Sequence, residues 1–188
     1  MRRQSSAIDR QRLALKFVTA VAAVALAPLL AIPGSPVPVA SLLAQETGLP
    51  VGSKAPSSTM VETLDGKPFD LGQYVGKTPV LIEFWASWCP NCKALEPQLQ
   101  RIARTHGARV KLLGVAVSVN QTPQRARLYA QKYKLPLELL WDANGNATDA
   151  YDVPATSYVV VLDRAGRVVY TGQGADQDLD AAVRKALR

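Results

Sequence analysis

Soft metal ligands are scarce in this chain: its 188 residues include two cysteines, Cys89 and Cys92, and one histidine, His106. That is too few donors for a closed structural zinc site, and a single pair of thiols is no disulfide framework. A domain of about 140 residues buries enough apolar surface to need no such staple, so the thiols are not required for stability. Acidic charge is also short, with 15 Asp and Glu against 22 Lys and Arg. The excess is local, because Arg2, Arg3, Arg10, Arg12 and Lys16 face only Asp9 within residues 1–16, and the rest of the chain carries +3. No basic stripe with interleaved aromatics is left over, which argues against a nucleic-acid partner. Internal repeats are absent, and the one low-complexity stretch is a proline-rich segment.

That basic cluster precedes Phe17–Ile32, sixteen residues without a charge. The arrangement is that of an export signal or membrane anchor, and it predicts a domain on the extracytoplasmic side. The small-x-small run Ala25-Leu26-Ala27 is followed by Pro28, and Ala44 has bulky Leu42 two residues upstream. Neither makes a well-formed cleavage site, which favours retention as an anchor over cleavage and release. Residues 33–50, with Pro33, Gly34, Pro36 and Pro38, read as a flexible tether, since proline cannot donate to a helix or a ladder. The organisation expected is therefore a signal or anchor over 1–32, a tether over 33–50 and a folded domain over 51–188.

Within 51–188 strand and helix patterns alternate, the signature of an α/β sheet with helices on its faces. Ser58–Leu64 reads as an edge strand closed by the turn Asp65-Gly66, and Leu71–Tyr74 as a helical turn. Val80–Ala86 and Val110–Val119 read as buried strands. A helix is expected over Pro90–Thr105, with Leu95, Leu99, Ile102 and Ala103 inward and a kink at Pro97. Thr122-Pro123 opens a second helix that runs to about Lys134. Leu137–Trp141 follows as a strand, Ala147–Tyr151 as one helical turn, and Ser157–Leu162 with Arg167–Tyr170 as a hairpin. Asp176–Leu187 closes the chain as an amphipathic helix with Leu179, Ala182, Val183 and Ala186 inward.

The two cysteines stand three residues apart in Trp88-Cys89-Pro90-Asn91-Cys92, straight after the first buried strand. At the first turn of a helix, unpaired N–H groups and the helix dipole favour a thiolate on the leading sulfur. Cys89 is then the attacking thiol and Cys92 the resolving one, less exposed and one turn deeper. A structural disulfide gains little from closing so short a loop, so thiol-disulfide exchange is the reading preferred. Two thiolates also suit copper(I), which keeps a copper-binding chaperone as an alternative from another class. His106, at the end of its helix, reads as a solvated residue and not a ligand.

The run Phe84-Trp85-Ala86-Ser87-Trp88-Cys89-Pro90-Asn91-Cys92-Lys93, with Pro97 five residues on, resembles the active-site strand and helix of thioredoxin-fold proteins. Gly52-Ser53-Lys54-Ala55-Pro56, Leu64-Asp65-Gly66-Lys67 and Gly76-Lys77 bring the resemblance to the membrane-tethered TlpA and ResA branch, the redoxins. It spans roughly residues 51–188 and implies a thioredoxin-like fold, with a central mixed sheet and helices on both faces. It also implies an extracytoplasmic protein-disulfide oxidoreductase on the periplasmic side of the inner membrane, monomeric and fed by a membrane electron donor. Such a protein reduces disulfides of exported proteins, apocytochrome c among them, and needs no cofactor beyond the redox-active Cys89–Cys92 disulfide. An oxidase with the same site is the alternative in direction.

The same resemblance assigns Glu83, six residues before Cys89, to the buried acid that handles the resolving thiol's proton. Trp88, Pro90 and Asn91 are implied as the surface that meets a substrate, and Trp85 as core. Lys93 reads as a solvent-facing side chain. Family members set a cis-proline opposite the cysteines. Here an alignment without gaps on Tyr151-Asp152-Val153 and Asp163-Arg164-Ala165-Gly166 puts Ser157 in that place, with Pro154 three residues early as the alternative. A peroxiredoxin-type site is disfavoured, because the position three residues before the attacking cysteine is Ala86.

Overall fold

The computed structural model describes residues 48–188. The expected signal or anchor over 1–32 and most of the tether over 33–50 lie outside the described residues. Gly48 and Leu49 are already tied to the domain: their backbone N–H groups donate to the Asp152 carboxylate (3.2 Å) and the Tyr158 hydroxyl (3.0 Å). Among the described residues no helix is long and apolar enough to cross a membrane.

In chain order the elements are β1 (Met60–Thr63), β2 (Pro68–Asp70), a 3-10 turn (Leu71–Gln73), β3 (Val80–Trp85), α1 (Pro90–His106), β4 (Lys111–Val117) and α2 (Pro123–Tyr133). They continue as β5 (Glu138–Asp142), α3 (Asn146–Ala150), β6 (Tyr158–Leu162), β7 (Val168–Gly172) and α4 (Leu179–Ala186). One seven-stranded mixed sheet results, ordered β2-β1-β5-β4-β3-β6-β7. β3, β4 and β5 are parallel, and the hairpins at either side are antiparallel.

The edge-strand expectation fails. The strand around Met60 is not an edge, because the turn at Asp65-Gly66 returns the chain as β2, which shields β1 on one side while β5 pairs with it on the other. The edge falls to β2, where Pro68 needs no inner ladder partner for the N–H it lacks.

β3 is the central strand, and all six of its residues are buried. Its alternation divides the core. Leu81, Glu83 and Trp85 lie on one face, beside Leu112, Gly114 and Ala116 of β4. Right-handed crossovers between parallel strands put α1 and α2 together over that face. Leu81 packs there with Leu95, Leu99 and Ile102 of α1 and Leu179 and Val183 of α4. Ile82 and Phe84 point the other way, where Phe84 meets Tyr151 and Tyr158 at ring distances of 5.6 and 6.2 Å. Helices thus cover both faces, as expected, with α3 and the 3-10 turn on the second.

Local signals explain the helix starts. Thr122 caps α2, its hydroxyl accepting from Arg125 N, with Pro123 in the first turn, and Asp178 caps α4 by accepting from Ala181 N. Pro97 lies inside α1 and has no N–H to give the carbonyl of Lys93. His106 is not solvated as its position suggested. It is 18 % exposed, with Nε2 3.3 Å from Asp180 Oδ1, so it links the end of α1 to α4.

Candidate active site

The sulfur chemistry sits where the central strand hands over to its helix. After β3 the chain turns through Ala86-Ser87-Trp88, and Cys89 becomes the N-cap of α1 with Pro90 in the first turn. This turn is held from outside by Gln121, whose side-chain oxygen accepts from Ser87 N (2.9 Å) while its amide donates to Val117 O (2.7 Å). Cys89 Sγ accepts from Cys92 N at 3.1 Å, the place a serine or aspartate oxygen takes in an ordinary cap. A sulfur there faces unpaired N–H groups and the positive end of a seventeen-residue helix, which favours negative charge on it.

Cys89 and Cys92 are joined in a disulfide with Cα atoms 5.3 Å apart. The expected difference in exposure is not seen in this oxidised form, where Cys89 is 4 % and Cys92 5 % exposed. Pro90 and Asn91 are exposed above the pair, and neither is charged. Lys93 is exposed as expected and directs its Nζ over the Tyr133 ring of α2, 5.5 Å from the centroid.

Beneath α1 lies Glu83, 2 % exposed, with Oε1 lacking any hydrogen-bond partner. Its strand neighbours on the same sheet face are Gly114 and Val159, which offer it neither charge nor donor side chain. Burial, and after it the charge of Glu96, push its carboxyl up to about 8. Two residues on, Trp85 is core as expected, and its indole nitrogen is likewise unpartnered. Gly114 leaves the space for that indole: a Cβ there would sit 3.1 Å from Trp85 Nε1 and 2.9 Å from Leu137 Cδ1.

Trp88 is the exposed aromatic of the site, 43 % accessible, with its indole N–H donating to Val119 O at 2.9 Å. Pinned in this way, it walls a cleft of about 550 Å³ together with Val117, Val119, Val153, Pro154 and Ala155, with Asp149 as the one charged residue in the lining.

The two candidates for the proline position separate here. Pro154 is exposed in the cleft lining, whereas Ser157 is fully buried in the left-handed region (φ 65°) at the start of β6. Ser157 N donates to Phe84 O (2.9 Å), its hydroxyl accepts from Gly174 N (3.0 Å), and its carbonyl accepts from Gln177 Nε2 (2.9 Å). Ser157 therefore seats the loop on β3, and the residues before it supply the cleft wall. Among the described residues, no group of three or more His, Cys, Asp or Glu side chains converges as metal ligands would.

Glu96, Tyr129, Gln121 and Gln177 were not singled out from sequence. The one available hint was the helical spacing of Tyr129 and Tyr133, whose ring centroids lie 4.5 Å apart with the planes tilted by 41°.

Comparison with known proteins agrees with this geometry. The chain is 27 % identical over 145 residues to the thiol-disulfide oxidoreductase ResA of Geobacillus thermodenitrificans, a match covering 74 % of this chain and 80 % of the relative. A secreted Mycobacterium tuberculosis disulfide oxidoreductase homologous to E. coli DsbE superposes with a TM-score of 0.59 at 28 % identity, over 69 % of this chain and 96 % of that one. The thioredoxin domain of a thiol-disulfide oxidoreductase from Bacteroides vulgatus gives a TM-score of 0.63 at 21 % identity, over 74 % and 99 %, a likeness of fold. The thioredoxin-like architecture expected from the sequence is thus the observed one. With the redoxin model matching residues 50–187, the chain belongs to the redoxin family.

Proposed function

We propose that this redoxin is an extracytoplasmic protein-disulfide reductase whose redox group is the Cys89–Cys92 disulfide itself. The observation that carries the reading is a disulfide capping α1 at the end of a central strand that buries an unpaired Glu83. In the dithiol form Cys89 Sγ attacks a substrate disulfide, and the first substrate sulfur leaves as a thiolate that takes up a proton. Cys92 then gives its proton to Glu83 and attacks Cys89 Sγ, releasing the second substrate thiol and restoring the enzyme disulfide. Two electrons and two protons pass to the substrate. A dithiol donor recharges the enzyme by the reverse route, with protonated Glu83 returning its proton to Cys92 as that sulfur leaves.

The reducing direction is supported by charge. Strong oxidants owe their potential to a stabilised thiolate. Here Pro90 and Asn91 are neutral, Lys93 is turned to Tyr133, and the strand leading to the site buries a carboxyl, so little beyond the helix N-terminus favours the anion.

The N-terminal segment 1–32 would hold the domain at the outer face of the membrane, next to a membrane electron donor, with exported proteins such as apocytochrome c as substrates. The cleft beside Trp88 would receive the substrate chain, with Pro154 in its wall and Ser157 positioning the loop, and the exposed Pro90 and Asn91 would meet the substrate next to the disulfide. The test is a Cys92→Ser protein expressed in its host. Mixed disulfides through Cys89 that dissolve on reduction are expected, and their absence would reject the reading.

A further inference from the structure

Glu83 has no route to water of its own. It is buried under α1, its free oxygen meets no donor, and β4 and β6 face it with Gly114 and Val159. α4 brings only apolar side chains to this face, Leu179, Ala182, Val183 and Ala186. The ionisable groups nearby come from α1 and α2. Glu96 lies four residues after Cys92, so the two share one side of α1, and it is half-buried where Cys92 is buried. Tyr129 of α2 donates its hydroxyl to Glu96 Oε1 at 2.6 Å and packs its ring on Trp85 at 5.8 Å, on the sheet face that also carries Glu83. Tyr133 packs against Tyr129 with its ring tilted, and Lys93 Nζ lies over the Tyr133 ring. The Glu96 carboxylate is thereby fixed between the two helices, at the boundary between the Glu83 site and solvent.

We propose that Glu96, held in place by Tyr129, is the second carboxyl of a proton relay that connects buried Glu83 with solvent during thiol exchange. The proposal rests on the reading of Glu83 as the carrier of the Cys92 proton. That proton passes from the Cys92 thiol to Glu83 and from Glu83 by way of Glu96 to bulk water; no electron moves in these transfers. Two carboxylates resist ionising together, so the charge of Glu96 makes Glu83 hold a proton more tightly, as the second cause of its raised value, and Glu83 takes up the Cys92 proton only after passing its own on to Glu96. Tyr129 is a positioning residue that prevents the Glu96 side chain from swinging out to water.

The experiment is a carbon-13 NMR titration of the side-chain carboxyls in the full-length oxidised protein, paired with stopped-flow oxidation of its dithiol form by a small disulfide. The Glu83 signal is the one missing in Glu83→Gln. In Glu96→Gln its midpoint should fall by roughly half a pH unit or more, as removal of a nearby like charge requires. Tyr129→Phe should lower it in the same direction by less. Dithiol oxidation at neutral pH should slow by about tenfold or more in Glu96→Gln, within the range of general acid-base effects. An unmoved midpoint, or an unchanged rate, overturns the relay. A Glu83→Gln protein that oxidises as fast as the parent rejects instead the reading of Glu83 as the proton carrier, whatever Glu96 does to the midpoint.

Discussion

Replacing Glu83 by Gln keeps the shape of the side chain and removes its ionisation, which makes it a direct probe of what burial does to this carboxyl. The native carboxyl releases its proton near 8, against an ordinary 4.5. A value raised on folding means that the unfolded chain ionises first. The contribution of Glu83 to stability is therefore whole below pH 4.5 and is lost progressively as the pH climbs through 8. At 1.36 kcal/mol per pH unit, the interval from 4.5 to 8 corresponds to about 5 kcal/mol. The side chain is only 2 % exposed, so solvent screening does not reduce that figure. Stabilities of whole domains are about 5–15 kcal/mol, which makes this a large part of the total. Urea unfolding of the oxidised parent and Glu83→Gln, measured from pH 4 to 9 and subtracted, isolates the effect from all other carboxyls. The stability difference between variant and parent should shift steadily in the variant's favour above pH 4.5, by about 5 kcal/mol between there and pH 8. A difference that stays flat across this range would refute the burial argument.

Gly114→Ala should destabilise by about 1–3 kcal/mol in the same assay, because its Cβ would meet Leu137 Cδ1 at 2.9 Å and Trp85 Nε1 at 3.1 Å in a filled core. Gln177→Ala removes the amide that donates to both Ser157 O (2.9 Å) and Gly174 O (2.8 Å), leaving the buried Ser157 carbonyl without that partner. It should cost about 1–3 kcal/mol and raise KM for a protein disulfide more than it lowers kcat, by loosening the loop that walls the cleft.

What could be read ahead of the structure was what a short stretch of chain decides by itself. Thr122 and Pro123 mark the start of α2 because a cap needs only its own next turn. The run Val80–Trp85, apolar at every position but Glu83, marks a central strand because burial on both faces favours such a run. Cys-Pro-Asn-Cys after that strand marks the site for the same reason. The resemblance supplied a role for Glu83, and its apolar flanks agree with the burial observed. Contacts between distant elements were out of reach. Helical spacing could not tell that Tyr129 meets Glu96 33 positions away, or that His106 meets Asp180 74 positions away. Whether β1 is an edge depends on what the chain does after Asp65-Gly66, and pattern within β1 carries no trace of it. Ser157 was picked for its place opposite the cysteines, but its positive φ and its bonds to Phe84, Gly174 and Gln177 come from packing of β3, β6 and the loop before α4.

The most direct test of the central claim is the equilibrium of the Cys89–Cys92 pair against glutathione, read by the fraction of dithiol across a range of redox ratios. A reversible two-electron couple more reducing than about −200 mV is expected, since a thiolate at Cys89 has the helix N-terminus with its Cys92 N–H for stabilisation and no neighbouring cationic side chain turned to it. A potential near −120 mV, or no reversible couple at all, would contradict it.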